Sequence, residues 1–480
     1  MAATYKMFID GEWTDAKSGK TLGVINPANE EIIADIPYGG REDAARAVAA
    51  AARAFPEWSA KTAYERAAVL KRTAELMRER LEAMARTLTM EEGKVLQEAR
   101  GELNGSAAYF EWFAEEAKRA YGEIIPPTLP NKRLWTLKHP VGVVASIAPW
   151  NFPVLLQARK IAPALAAGCP VVARPASQTP LATMELFQCL QDAGAPAGVV
   201  NLVTGPPQEI TGEFMENRAV RKISFTGSTE VGKELMRRAA DQVKRLSLEL
   251  GGHAPVIVFP DVDVETAARV TTLGKFRNMG QVCISPTRIY VHDRIRKEFT
   301  EAAVEFSRSL RLGNGLDPNV DVGPLFEERN VKQTMAFVQD ATAHGARVLT
   351  GGRKPEGDAY RRGFYFEPTV LTDISREMRL TCEETFGPIM PLLYFDRVEE
   401  ALKAANDTHY GLAAYVMTAD LKTALRMAEG LEYGIIGIND TVPATAQAPF
   451  GGMKESGIGR EGAHEGLEAY LETKYISIGL

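Results

Sequence analysis

Cys283 stands in the run Lys275-Phe-Arg-Asn-Met-Gly-Gln-Val-Cys283-Ile-Ser-Pro and follows Glu249, in Leu248-Glu-Leu-Gly-Gly252, by 34 positions (283 − 249). A thiol nucleophile and a carboxylate, each beside glycines that widen the choice of backbone geometry, suit covalent catalysis with a separate base. Neither stands next to a histidine, the group a cysteine hydrolase normally uses to activate its thiol. A lone cysteine is otherwise a small core residue, so the segments around it must decide.

Four further segments carry usable chemistry. In Pro149-Trp-Asn-Phe-Pro153, Asn151 can donate its side-chain amide to a developing oxyanion, a donation worth roughly 3 kcal/mol. A proline-bounded turn with an aromatic plug is the plainer reading of the same residues. Phe225-Thr-Gly-Ser-Thr-Glu-Val-Gly232 follows a strand pattern and opens a helix, where backbone N–H groups favour phosphate. It also reads as a turn with an N-cap serine, and its glycines at 227 and 232 do not form the usual GxGxxG. Arg174-Pro-Ala-Ser-Gln-Thr-Pro180 offers a cation and a hydroxyl for ribose or phosphate, or a plain polar turn. Glu384 lies in Glu383-Glu-Thr-Phe-Gly-Pro388, where paired acids usually end a solvated helix, and Pro449–Gly457 is glycine-rich without evident chemistry. The six histidines are scattered with no HxxxH or HxH pair, so no metal site is expected.

These residues need a scaffold. A chain of 480 residues implies two or three domains. A hydrophobic share of 45% and a charged share of 25% fit a globular protein with ample core. Net charge −6 without blocks of like charge argues against nucleic acid and anionic membrane as partners. No apolar run of 18 residues occurs, and Met1–Asp10 lacks a signal-peptide core. Four widely spaced cysteines, Cys169, Cys189, Cys283 and Cys382, fit a reducing cytoplasm. Residues 5–37 read as short strands, with an Asp-Gly hairpin inside Phe8–Trp13. Arg41 to about Tyr121 reads as several long helices. Strands at Val141–Ile147, Cys169–Ala173, Val199–Val203, Lys222–Phe225 and Arg245–Glu249 then alternate with helices, which predicts a doubly wound parallel sheet. A second α/β stretch runs from Pro255–Phe259 through Arg288–Val291 to Gly434–Ile438. The terminal strand Tyr470–Ile478 is expected to pair with another subunit.

Taken together, these segments resemble the NAD(P)-dependent aldehyde dehydrogenase superfamily over nearly the whole chain, and within it the succinate-semialdehyde and α-ketoglutarate-semialdehyde dehydrogenases. The resemblance implies an α/β fold with two doubly wound parallel-sheet domains. Residues 1–121 and 141–252 would form a Rossmann-variant cofactor domain and 253–452 a catalytic domain. Residues 122–140 and 453–480 would form a small β oligomerisation element and tail, giving a homodimer or homotetramer. It implies Cys283 as nucleophile, Glu249 as general base, and Asn151 as oxyanion donor with the Cys283 backbone N–H. Cofactor contacts are implied at Ile147, Pro149, Gly205, Thr226, Gly227 and Leu250. Ser228 is implied on the pyrophosphate, Glu384 on the nicotinamide ribose, Phe386 against the nicotinamide, and Trp150, Arg174 and Ser177 around the adenosine ribose.

The expected reaction oxidises an aldehyde through a cysteine thiohemiacetal and thioester. Many members carry Lys at the Arg174 position, and NAD-selective ones often carry Glu at the Ser177 position. Without that carboxylate a 2′-phosphate is not repelled, so NADP⁺ is expected to be accepted, even preferred, with NAD⁺ also usable. Arg159 and Arg277 match two arginines that hold the far carboxylate of a semialdehyde, and Thr445 lies where those enzymes often carry serine. Arg277 also reads as half of a structural ion pair. Ser285 replaces a cysteine that serves some relatives as a redox switch, so none is expected. Succinate semialdehyde is the first expected substrate and α-ketoglutarate semialdehyde the second. A cysteine-dependent (thio)ester hydrolase is the alternative of another class.

Overall fold

The architecture is set by two parallel sheets whose strand ends face the same crevice. The computed structural model describes residues 3–480, so Met1 and Ala2 of the N-terminal reading lie outside it. The first sheet is built on β1 (Val143–Ile147), β2 (Val171–Arg174), β3 (Val200–Leu202), β4 (Val220–Thr226) and β5 (Arg245–Glu249). All five run parallel in the spatial order β3-β2-β1-β4-β5. Strand β1 is buried along its whole length, as a strand covered on both faces must be. The order reverses between β1 and β4, and such a switch point is where open α/β sheets hold ligands. The loop after β1 carries Pro149–Pro153, whereas the glycine loop follows β4 and leads into α2 (Thr229–Ala239). The usual fingerprint would follow the first strand, which explains its absence from the sequence.

Antiparallel strands close the edges of this sheet. Met7–Ile9 pairs with Glu12–Thr14 through Asp10 (φ 56°) and Gly11 (φ 84°), the two left-handed positions that a tight hairpin requires. Gly457–Ile458 pairs with β5 and sets Gly457 opposite Glu249, so the glycine-rich C-terminal segment is brought to that carboxylate.

Four helices, Arg41–Ala60, Ala63–Glu79, Leu81–Glu92 and Leu96–Glu116, fill the stretch read as helical. Helix α1 (Pro153–Ala167) packs against the last of them and is buried on nearly every side, Gln157, Arg159 and Lys160 included. A helix buried all round is normally apolar, so these three must have partners or work.

The second sheet contains β6 (Ala254–Val258), β7 (Pro286–His292), β8 (Arg347–Thr350), β9 (Thr369–Thr372), β10 (Ile389–Phe395), β11 (Ala413–Met417) and β12 (Ile435–Ile438), in the order β8-β9-β10-β7-β6-β11-β12. Only β8 runs antiparallel to its neighbour. Helix α3 (Val264–Phe276) packs on this sheet and ends at the run that leads to Cys283.

The terminal strand closes a small sheet with residues 122–140 and leaves its own outer edge unpaired among the described residues of this chain. Leu471–Gly479 pairs antiparallel with Lys132–Pro140 of its own chain, in register over its full length, and Ile124–Ile125 adds a third strand. Its partner is therefore an element about 330 residues earlier in the same chain, which local sequence cannot reveal. Among the described residues no helix is long and apolar enough to cross a membrane.

Candidate active site

Cys283 sits just before β7, after a turn in which Asn278 (φ 45°), Met279 (φ 54°) and Gly280 (φ 73°) are all left-handed. Two of these carry side chains, at a cost of about 1–2 kcal/mol each. The surroundings hold them there. The Asn278 N–H donates to both carboxylate oxygens of Glu98 at 3.0 and 3.1 Å, and a Cβ on Gly280 would strike the Gly387 carbonyl. Beyond the turn, Cys283 is the meeting point of two cavities, of about 410 and 340 Å³, which share Asn151, Leu156 and Cys283 in their walls.

Burial pushes the Cys283 thiol up to about 12, with Arg159 pulling it down and Glu384 and Glu249 pushing it further up. The neutral thiol is therefore the resting form, and attack on a carbonyl requires loss of its proton. Asn151 is buried, and its Nδ2 donates to the Gln281 carbonyl at 2.9 Å. An amide nitrogen has two hydrogens, so fixing one leaves the other to aim.

Glu249 ends β5 and lies opposite Thr226 in register. Burial first, and the Glu461 carboxylate second, raise its pKa well above the carboxylate range, against the pull of Lys160, Arg159 and Arg460. Its Oε2 has no hydrogen-bond partner, as a carboxyl reserved for a mobile water or proton requires. Behind it, Lys160 Nζ donates to Glu461 Oε1 at 2.5 Å and to Thr226 Oγ1 at 2.6 Å, all buried. Glu249 feels the charges of Lys160 and Glu461 without a hydrogen bond to either.

The larger cavity is lined by Arg159, Arg277, Tyr109, Phe450, Thr445 and both shared polar residues. Arg159 is 3% exposed, its guanidinium lying 3.9 Å from the Phe450 ring centroid and 5.2 Å from that of Tyr109. Its Nε has no partner. Arg277 lies over Phe152 at 5.1 Å. Glu98 feels its charge but is tied to the Asn278 N–H, so the ion-pair reading of Arg277 finds no direct pair. Thr445 Oγ1 donates to Gln447 at 2.5 Å. Two guanidinium groups held by rings rather than by direct carboxylate pairs leave donors that an anion could use, although Glu98 and Glu102 also line the cavity.

The smaller cavity is walled by Pro149, Trp150, Thr226, Gly227, Ser228, Leu250, Glu384 and Phe386. Ser228 caps α2, accepting from the Val231 N–H at 3.4 Å, so that helix N-terminus faces the cavity. Glu384 accepts from the Gly252 N–H at 3.0 Å, and burial pushes its carboxyl to about 7. Ile147, Arg174, Ser177 and Gly205 do not reach this cavity. They continue its line along the carboxyl ends of β1, β2 and β3, one strand spacing of about 4.8 Å at a time. Arg174 Nε is buried without a partner, and burial lowers its guanidinium to about 10. Ser177 Oγ donates to the Gly205 carbonyl at 3.1 Å, so it braces the rim and leaves only its lone pairs free. An extended dinucleotide fits this line: a helix N-terminus for phosphate, a carboxylate for a ribose, and an unpartnered guanidinium beyond.

Trp150, expected around the adenosine ribose, stacks its ring on Phe326 at 4.2 Å and meets Phe386 edge-on at 5.7 Å, and it lines the cavity that also holds Cys283. Sequence reasoning missed Tyr109, Lys160, Glu461, and the segment Phe326–Gln333 that supplies Arg329, Asn330 and Gln333 to the smaller cavity. The one available signal was α1, where charged residues interrupt a helix otherwise apolar on every face.

The aldehyde dehydrogenase family profile matches residues 13–476. A succinate-semialdehyde dehydrogenase [NADP(+)] of Escherichia coli is 46% identical, over 98% of this chain and 97% of its own length. A glutarate-semialdehyde dehydrogenase of Pseudomonas putida is likewise 46% identical, over 98% of this chain and 97% of its own. The crystal structure of a betaine aldehyde dehydrogenase of Staphylococcus aureus in complex with NAD⁺ superposes with a TM-score of 0.97 at 39% identity, covering 99% of this chain and 95% of that one.

Proposed function

The chain belongs to the aldehyde dehydrogenase family, and from that premise we propose that it oxidises a short carboxylated aldehyde, succinate semialdehyde first, to the acid with NADP⁺ or NAD⁺. The observation that carries this reading is the cavity around Arg159 and Arg277 opening onto Cys283. Glutarate semialdehyde is the second reading, supported by the Pseudomonas relative. One more methylene is worth only about 1–3 kcal/mol in such a pocket.

In this reading Cys283 Sγ attacks the aldehyde carbonyl and gives up its proton to solvent as the carbon–sulfur bond forms. The carbonyl oxygen takes up charge between Asn151 Nδ2 and the Cys283 N–H. The bound nicotinamide ring supplies the hydride acceptor. Glu249, once ionised, draws a proton from water, and that water releases the acid from Cys283 Sγ. The charges of Lys160 and Glu461 bear on Glu249 from behind and set how readily it takes up that proton. Arg159 and Arg277 hold the far carboxylate so that the carbonyl carbon meets the sulfur. Phe386 and Trp150 exclude water from the smaller cavity. Ser228, Thr226 and Gly227 hold the pyrophosphate, Glu384 a ribose, and Arg174 the 2′-phosphate of NADP⁺. Residues 141–252 serve as the cofactor-holding unit, and 253–452 carry the thiol.

A homodimer or homotetramer goes with this reading. The strand Leu471–Gly479 is one edge of a small sheet, followed by Leu480 (73% exposed), and Ile124 (93% exposed) stands on the opposite edge. Uncovered edges and apolar side chains of this kind call for a second copy. A reducing cytoplasm suits four cysteines of which none is paired. The test is a panel of carboxylated and neutral aldehydes with each dinucleotide, read as kcat/KM. Neutral aldehydes turned over as well as semialdehydes would reject the substrate class.

A further inference from the structure

One buried cluster lies outside every role given so far. Lys94 follows the left-handed Gly93 that ends the helix Leu81–Glu92, and its side chain is fully buried. Its Nζ donates to Glu102 Oε2 at 2.6 Å and to the Asn151 main-chain carbonyl at 2.7 Å, and lies 3.8 Å from the Phe152 ring centroid. The same Asn151 carbonyl accepts from Asn278 Nδ2 at 3.2 Å, and Asn278 Nδ2 also donates to Glu92 Oε1 at 2.8 Å. Glu102 Oε1 accepts from the Val154 and Leu155 N–H groups at 3.0 and 3.2 Å, at the first turn of α1. Thus one side of Asn151 is fixed by a charged donor on its carbonyl and by a carboxylate on the turn that follows it. The other side is fixed by its own amide on Gln281, two residues before Cys283.

We propose that Lys94, Glu102 and Asn278 form a positioning clamp that aims the Asn151 amide at the oxygen of the reacting carbonyl. The proposal rests on the reading of Asn151 as an oxyanion donor. A fully buried lysine between two carboxylates is weak evidence of stability by itself, because desolvation cancels much of the attraction. What the cluster provides is direction. It ties three separate chain segments, 92–102, 151–155 and 278–281, to the one residue whose angle sets transition-state stabilisation, and a misplacement near 1 Å can cost about 10²-fold in rate. Asn278 serves twice. Its left-handed backbone makes the turn into Cys283, and its amide holds the Asn151 carbonyl, which couples the nucleophile's approach to the oxyanion donor.

The test is a double-mutant cycle on kcat/KM for succinate semialdehyde. Lys94→Met/Glu102→Gln removes the ion pair without stranding a charge, and glutamine still accepts from the α1 N–H groups. Burial already pushes the neighbouring Glu92 to about 8, so that carboxyl can take a proton. Asn278→Gly keeps the left-handed backbone and deletes only the amide, so it runs the same cycle should the first variant not fold. Each is expected to lower kcat/KM by about 10–100-fold, mostly in kcat, with NADP⁺ affinity within about twofold of the parent. In an Asn151→Ala background, itself down by about 10²–10³-fold, the further loss is expected to be under about threefold. An equal loss in both backgrounds makes the cluster merely structural and overturns the clamp. An Asn151→Ala enzyme as fast as the parent overturns the oxyanion reading instead.

Discussion

The cavity on one side of Cys283 is walled by Arg159, Arg277, Tyr109 and Phe450, whereas the one on the other side combines strand ends, a helix N-terminus and two glycines with Trp150, Glu384 and Phe386. In the proposed function the first selects by charge, through guanidinium groups held on aromatic rings. The second spreads its contacts over more groups, main-chain N–H groups among them. The difference has a practical consequence. A single substitution on the substrate side removes a large, specific interaction, because a charged hydrogen bond carries about 1.5–3 kcal/mol. On the cofactor side the same change removes a small part of a distributed contact.

The two cavities share Cys283, so its loss breaks both at once. Cys283→Ala is expected to lower dinucleotide reduction by on the order of 10⁴-fold or more, measured as steady-state absorbance. Glu249→Gln separates them in time. One turnover of NADPH should appear at nearly the parent rate, and the steady state should fall by about 10²–10³-fold. A lost burst would place Glu249 in acylation.

Arg159→Ala sharpens the charge side. Semialdehydes should lose about 10–100-fold in kcat/KM and a neutral aldehyde of equal length less than about threefold. Equal losses would remove the carboxylate assignment. Ser177→Glu probes the far end of the cofactor side, placing a carboxylate beside the unpartnered Arg174 guanidinium. The expected result is about tenfold weaker NADP⁺ binding with NAD⁺ little changed, read by fluorescence titration.

The last test concerns the thiol itself. Its pKa is raised, to about 12, so the neutral form persists through the physiological range and the thiolate fraction grows as pH rises. Alkylation of Cys283 by iodoacetamide should therefore accelerate roughly tenfold per pH unit from 7 to 9. A plateau already reached near pH 7 would mean a thiolate stabilised at rest.

The same contrast explains what could be read from the chain. Cys283, Asn151 and Arg159 are legible because their chemistry resides in their side chains. The doubly wound sheet is legible because β1 to β5 are short apolar runs separated by helices. The phosphate-facing turn at Gly227 was harder, since its glycine loop follows the fourth strand and not the first. Lys160 and Glu461 escaped because they meet across 301 positions, and nothing local marks either as a partner. Trp150 was read from its place in a loop. Its ring is set by Phe326, which comes from a segment the sequence leaves unmarked. The terminal strand showed its type locally, whereas its partner, residues 132–140, came only through the resemblance, because pairing is a long-range property.

The central claim is that the sulfur of residue 283 carries the acyl group while the dinucleotide is reduced. Glu249→Gln enzyme, mixed with succinate semialdehyde and NADP⁺ and acid-quenched within one turnover, should yield one succinyl thioester on the Cys283 peptide for each NADPH formed, by mass spectrometry. NADPH formed without that adduct, or with the acyl group on another residue, would contradict the account.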